Sequence, residues 1–145
     1  AELWGMSKEE YVKKADPWPL NPDGELFLGL KIEDRHCVEN VEEITAVPGI
    51  AFAEWGPGDM GMSYGLPDAH DPPYPDIMNQ AREKIKEALK KNNKVFYSSW
   101  NDFSMNPEQR IKYIIDELGS DMVGGPDIEE MAKIGREFKG RKLPY

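Results

Sequence analysis

Apolar positions along this chain fall into two alternating patterns: short near-continuous runs, and longer stripes spaced three or four residues apart. Residues 26–32, from Leu26 to Ile32, form a mostly apolar run and predict a buried parallel strand. A helix should follow, capped by Asp34, with Val38, Val41, Ile44 and Val47 as its stripe and Pro48-Gly49 as its stop. Residues 50–55 predict a second strand. It opens into Gly56-Pro57-Gly58-Asp59 and a long loop running through Gly61, Gly65, Pro67, Pro72, Pro73 and Pro75. Residues 76–91 predict a helix burying Ile77, Met78, Ala81, Ile85 and Leu89, and 95–97 predict a third strand. The next helix has Asn106 as cap and Pro107 in its first turn. Its apolar face is Ile111, Ile114, Ile115 and Leu118, and Gly119 ends it. A short fourth strand at 121–123 leads through Gly124-Gly125-Pro126 into a last helix with Ile128, Met131, Ile134 and Phe138.

Residues 1–15 read as one more helix, joined by a Pro17-Trp18-Pro19 linker. The chain therefore divides into a helix and linker (1–24) and four βα units (25–145), within one domain of 145 residues. Strands alternating with helices imply an α/β fold with a parallel sheet whose ligands sit at the carboxyl ends of the strands. A full (β/α)8 barrel takes about 250 residues, so four units make about half of one. An open doubly wound sheet shares the pattern.

Composition narrows the function classes. A net charge of −9 argues against a nucleic-acid surface, which needs clustered Lys and Arg. No run approaches the roughly 20 apolar residues of a membrane span, and the start does not read as a signal peptide. The chain opens on Ala1, which fits a processed start or a start inside a longer protein. The single cysteine, Cys37, excludes an internal disulfide, suits a reducing cytosol and reads as a packed thiol. A cytoplasmic protein is expected.

Two carboxylates stand where a parallel sheet displays its ligands: Glu33 directly after the first strand and Asp59 just past the second. They are placed to share one hard cation, and the backbone N–H groups after Gly56 are placed to form an anion-binding nest. Each also has an ordinary structural reading, Glu33 as a solvated partner of Arg35 and Asp59 as a turn residue or cap.

These motifs carry a resemblance. Leu30-Lys31-Ile32-Glu33-Asp34, Glu39-Asn40 with Ile44, Val47-Pro48-Gly49 and Gly56-Pro57-Gly58-Asp59-Met60 together resemble the HpcH/HpaI aldolase family. That family includes 2-oxo-3-deoxy sugar-acid and 4-hydroxy-2-oxo-heptanedioate aldolases of the phosphoenolpyruvate/pyruvate barrel superfamily. Order and spacing match over about residues 25–77.

The resemblance implies that this chain is the C-terminal half of a (β/α)8 (TIM) barrel. It implies Glu33 and Asp59 as ligands of Mg²⁺, Mn²⁺ or Co²⁺, and Pro57, Gly58 and Asp59 as the turn that holds a pyruvyl carboxylate. The implied activity is class II aldol cleavage of a 2-oxo-hydroxy acid to pyruvate and an aldehyde. The family's catalytic His and Arg belong to the first half, and neither His36 nor His70 stands in a matching position; they read as a helix and a loop residue. Completion by an N-terminal half-barrel chain or by self-association is therefore expected, because a half barrel exposes unpaired strand edges. Lys31 stands where the family commonly has Gln, and either brings a cation beside the metal or points elsewhere. Tyr74-Pro75-Asp76-Ile77, and Glu54-Trp55 before Gly56, also depart from the pattern, with Trp55 expected to pack rather than touch substrate. The alternatives are a non-catalytic metal- and carboxylate-binding subunit, and a citrate-lyase-like acyl-CoA lyase.

Overall fold

A three-stranded parallel sheet organises the chain in the computed structural model, which describes residues 1–125 and 127–141. In chain order the elements are α1 (Lys8–Lys14), β1 (Pro17–Trp18), β2 (Leu26–Phe27), β3 (Gly29–Lys31), α2 (Arg35–Glu39), α3 (Val41–Ala46) and β4 (Phe52–Trp55). They continue with α4 (Pro57–Ser63), α5 (Asp76–Lys91), β5 (Val95–Ser98), α6 (Pro107–Lys112) and α7 (Ile128–Phe138). The main sheet runs β3-β4-β5, while β1 and β2 form a separate two-residue parallel pair.

Several expectations change in detail. The apolar run 26–32 is two short strands, and Leu26, Phe27 and Leu28 are exposed rather than buried, because β2 pairs with β1 outside the main sheet. The helix after Asp34 is broken at Asn40 into α2 and α3, although Asp34 caps as expected, accepting from the N–H groups of His36 and Cys37. The supposed loop after Gly56 begins as α4, with Pro57 in its first turn. Ile77 is exposed on the outer face of α5, while Met78, Ala81, Ile85 and Leu89 are buried.

The fourth strand is a single parallel bridge, Tyr97 to Met122. Side chains take over part of the ladder there. The N–H of Phe96 donates to Asp121 Oδ2 (3.2 Å) and that of Ser98 to Ser120 Oγ (2.9 Å).

Alternation along the strands separates two faces. Ile32, Ala53, Trp55, Phe96 and Ser98 are buried beneath the helices, and each large apolar side chain fully buried contributes about 1.5–3 kcal/mol. The opposite face carries Lys31, Glu54 and Tyr97 side by side, since Lys31 pairs with Glu54 and Glu54 with Tyr97 in register. Along this row Lys31 is exposed, whereas Glu54 is mostly covered and Tyr97 half-buried.

Candidate functional site

Glu33 continues the alternation of β3 past its last pair, so its side chain falls on the same face as Lys31. Lys31 Nζ lies 3.1 Å from Glu33 Oε1 and 3.8 Å from Glu54 Oε1. The base beside Glu33 is therefore Lys31 and not Arg35, whose backbone N–H instead donates to Ser63 Oγ. Burial raises the Glu33 carboxyl above its ordinary range; the Lys31 ammonium opposes that shift, while the Asp59 and Glu54 charges add to it. The hydrogen bond to Glu33, then the charge of Glu54, raises Lys31 in turn.

Gly56 makes room for this arrangement. A Cβ at that position would collide with Glu33 Oε1, so only glycine lets the carboxylate lie against the chain as β4 ends. Pro57 is buried, fixes the first turn of α4 and has no N–H to offer. Gly58 and Asp59 follow in that first turn, where backbone N–H groups have no partner inside the helix. Nothing approaches Gly58 closely: the nearest atom to a Cβ there would be His70 Cβ at 4.0 Å.

Glu33, Asp59, Gly58, Lys31 and Glu54 line one open cleft of about 270 Å³. The structure thus brings together every site residue expected from the sequence, and adds Glu54 and His70. Glu54 was legible as a charge alternating with buried Ala53 and Trp55. His70 lies in a loop and reaches the cleft through folding alone. Its Nδ1 is 2.7 Å from Asp71 Oδ2, and Asp71 Oδ1 accepts from the indole N–H of Trp100 at 3.0 Å. His36 lies on α2 with Nδ1 3.3 Å from Glu39. Trp55 is fully buried, edge-on to Tyr74 with Arg82 over its ring, so it packs.

The donor set suits a hard divalent cation, because Glu33 and Asp59 offer carboxylate oxygens and Gly56 leaves the Glu33 oxygens in reach of the cleft. Among the described residues no three His, Cys, Asp or Glu side chains form a ready-made cage.

Residues 21–114 match the family described as HpcH/HpaI aldolase/citrate lyase. The chain belongs to that family. This HpcH/HpaI chain is 33% identical over 86 residues to a 2-keto-3-deoxy-L-rhamnonate aldolase of Klebsiella pneumoniae, covering 59% of the chain and 28% of the relative. A citrate lyase structure from Burkholderia xenovorans superposes with a TM-score of 0.62 at 19% identity, over 76% of this chain and 38% of that one. An HpcH/HpaI aldolase/citrate lyase family protein from Burkholderia cenocepacia gives 0.61 at 20% identity, over 95% and 48%. At those identities the superpositions speak for the fold alone. The HpcH/HpaI chain spans about half the length, or less, of these relatives. No helix among its described residues is long and apolar enough to cross a membrane.

Proposed function

We propose that this chain is the metal- and carboxylate-binding half of a barrel lyase that cleaves a 2-oxo-hydroxy acid to pyruvate and an aldehyde. The observation that carries the reading is the convergence of Glu33, at the end of β3, and the first turn of α4, after β4, on one cleft. Membership in the family and the likeness to the rhamnonate aldolase support it.

In this reading Glu33 and Asp59 hold Mg²⁺, Mn²⁺ or Co²⁺, and the bound ion supplies Lewis-acid chemistry to the keto acid. The N–H groups of Gly58 and Asp59 donate to the substrate carboxylate, in a turn that Pro57 sets and that the bare Cα of Gly58 leaves open to close approach. The bond that breaks lies between C3 and C4, leaving pyruvate and an aldehyde. A partner carrying the other half of the barrel, or a second copy, completes the walls and supplies the proton-transfer groups.

A second reading keeps the binding and loses the chemistry. The Lys31–Glu33 ion pair favours it, because the carboxylate already has a cation. Exchange of pyruvate methyl protons in heavy water, followed by NMR, separates the two. The lyase reading expects exchange that requires Mg²⁺ or Mn²⁺ and falls by about 10²-fold or more in Glu33→Gln, as for loss of electrostatic stabilisation at a reacting centre. Binding of metal and pyruvate by the assembled protein without exchange would establish the non-catalytic reading.

A further inference from the structure

Lys31 is the cleft residue that a two-carboxylate metal site does not explain. Its ammonium is 3.1 Å from Glu33 Oε1, on the carboxylate assigned to the ion, and 3.8 Å from Glu54 Oε1 on the neighbouring strand. The register of β3 against β4 sets Lys31 directly beside Glu54, and strand alternation sets Glu33 on the same face. Backbone pairing thus anchors the Lys31 main chain beside Glu54, and the side chain reaches across to Glu33. The lysine side chain is 60% exposed, whereas Glu33 is 15% exposed. The lysine can therefore swing away from Glu33 at little cost, while the carboxylate stays in place. Glu54 gives it an alternative anionic partner on the same face.

We propose that Lys31 is a tethered cation that competes with the divalent ion for Glu33, so that metal affinity is set by how the ammonium is shared between Glu33 and Glu54. This rests on the reading of Glu33 as a metal ligand. A divalent ion arriving at Glu33 meets an ammonium already bonded there and must displace it towards Glu54. Once displaced, the ammonium still lies close to the ion and repels it. Removing the charge at residue 31 relieves both effects and leaves Glu33, Glu54 and Asp59 facing the ion unopposed. The site of this chain is then weaker for metal than its carboxylates alone would make it, and loads at correspondingly higher concentrations of free ion.

The test is Mn²⁺ binding to the full chain, by calorimetry and by electron paramagnetic resonance of the free ion, with no turnover involved. Lys31→Gln is expected to tighten binding by about tenfold, equivalent to about 1.4 kcal/mol. Lys31→Arg, which keeps the cation, should stay within about threefold of wild type. Glu33→Gln added to Lys31→Gln should abolish the gain, which ties the effect to this carboxylate rather than to the general acidity of the chain. Lys31→Arg is expected to keep the wild-type melting temperature, and Lys31→Gln to lower it only modestly, since the ammonium itself is largely exposed although Glu33 is not. Equal or weaker binding by Lys31→Gln, with wild-type binding still dependent on Glu33, would overturn the competition and leave the metal site standing. Absence of Glu33-dependent binding in every variant would overturn the metal site and the competition with it.

Discussion

Within the cleft, Glu33 sits in an environment at odds with its charge. Burial raises its carboxyl despite the adjacent Lys31. A carboxyl raised on folding binds its proton more tightly in the folded chain than in the unfolded one. Its contribution to stability is therefore largest below the unfolded value of about 4.3 and is lost as pH rises through the higher folded value. Without metal, Glu33→Gln is expected to melt above wild type at pH 7, with the difference vanishing near pH 4. Thermal unfolding followed by circular dichroism across that range checks it, and a variant less stable at pH 7 would show that the Lys31 pair outweighs burial. At this scale the sequence displayed Glu33 and Asp59 through their places at strand ends, and the family motifs sharpened both. It did not display the partner of Glu33. Arg35 and Lys31 are each two residues away, and only the pleat puts Lys31 on the right face. His70 was invisible for another reason: the loop that delivers it has no period from which a direction can be read.

Elements with strong local grammar were the legible ones. Helix α5 occupies the predicted span because its apolar stripe is continuous. Helix α6 starts where Asn106 accepts the N–H of Gln109 at 2.9 Å. Helix α1 begins later than expected, at Lys8, because Ser7 and Glu10 form a reciprocal capping box, and Ser7 with Glu10 three residues on is the sequence signal for that start. At the break, the Asn40 side-chain amide donates to the His36 carbonyl at 2.8 Å, while the reduction of the fourth strand to one bridge depends on tertiary pairing, which periodicity does not record.

One contact between elements carries a strong prediction. Arg110 on α6 is 2% exposed and forms an ion pair with Asp127, the residue before α7, while its guanidinium also donates to Met131 Sδ at 3.2 Å. Asp127→Asn strips the charge partner from a buried guanidinium, which typically costs about 3–5 kcal/mol. The partial exposure of Asp127 places the expectation near the lower end, measured as loss of unfolding free energy in urea. A loss below about 1 kcal/mol would show that α7 is not held through this pair.

At the scale of the whole chain, the sheet has an open edge among the described residues. Strand β3 has β4 on one side and no partner on the other among the described residues. Beside it Leu26, Phe27 and Leu28 are 40%, 63% and 49% exposed, with Trp18 at 39%. Contiguous exposed apolar side chains next to an open strand edge are what natural sheets cover or blunt. The α/β alternation was legible from the sequence, as was the expectation of half a barrel, because four βα units fall short of the length a closed barrel needs. Which surfaces the shortfall leaves open was not legible, since residues 26–28 read as core from their composition alone.

The claim that this chain is a metal- and pyruvate-binding half of a larger assembly is tested most directly by native mass spectrometry of the protein isolated under native conditions, with Mn²⁺ and pyruvate present. The expected result is a species heavier than the 16.5 kDa chain. It should hold a second chain, Mn²⁺ and pyruvate, and lose the metal in Glu33→Gln. A bare 16.5 kDa monomer that binds neither ligand and unfolds cooperatively by itself would contradict it.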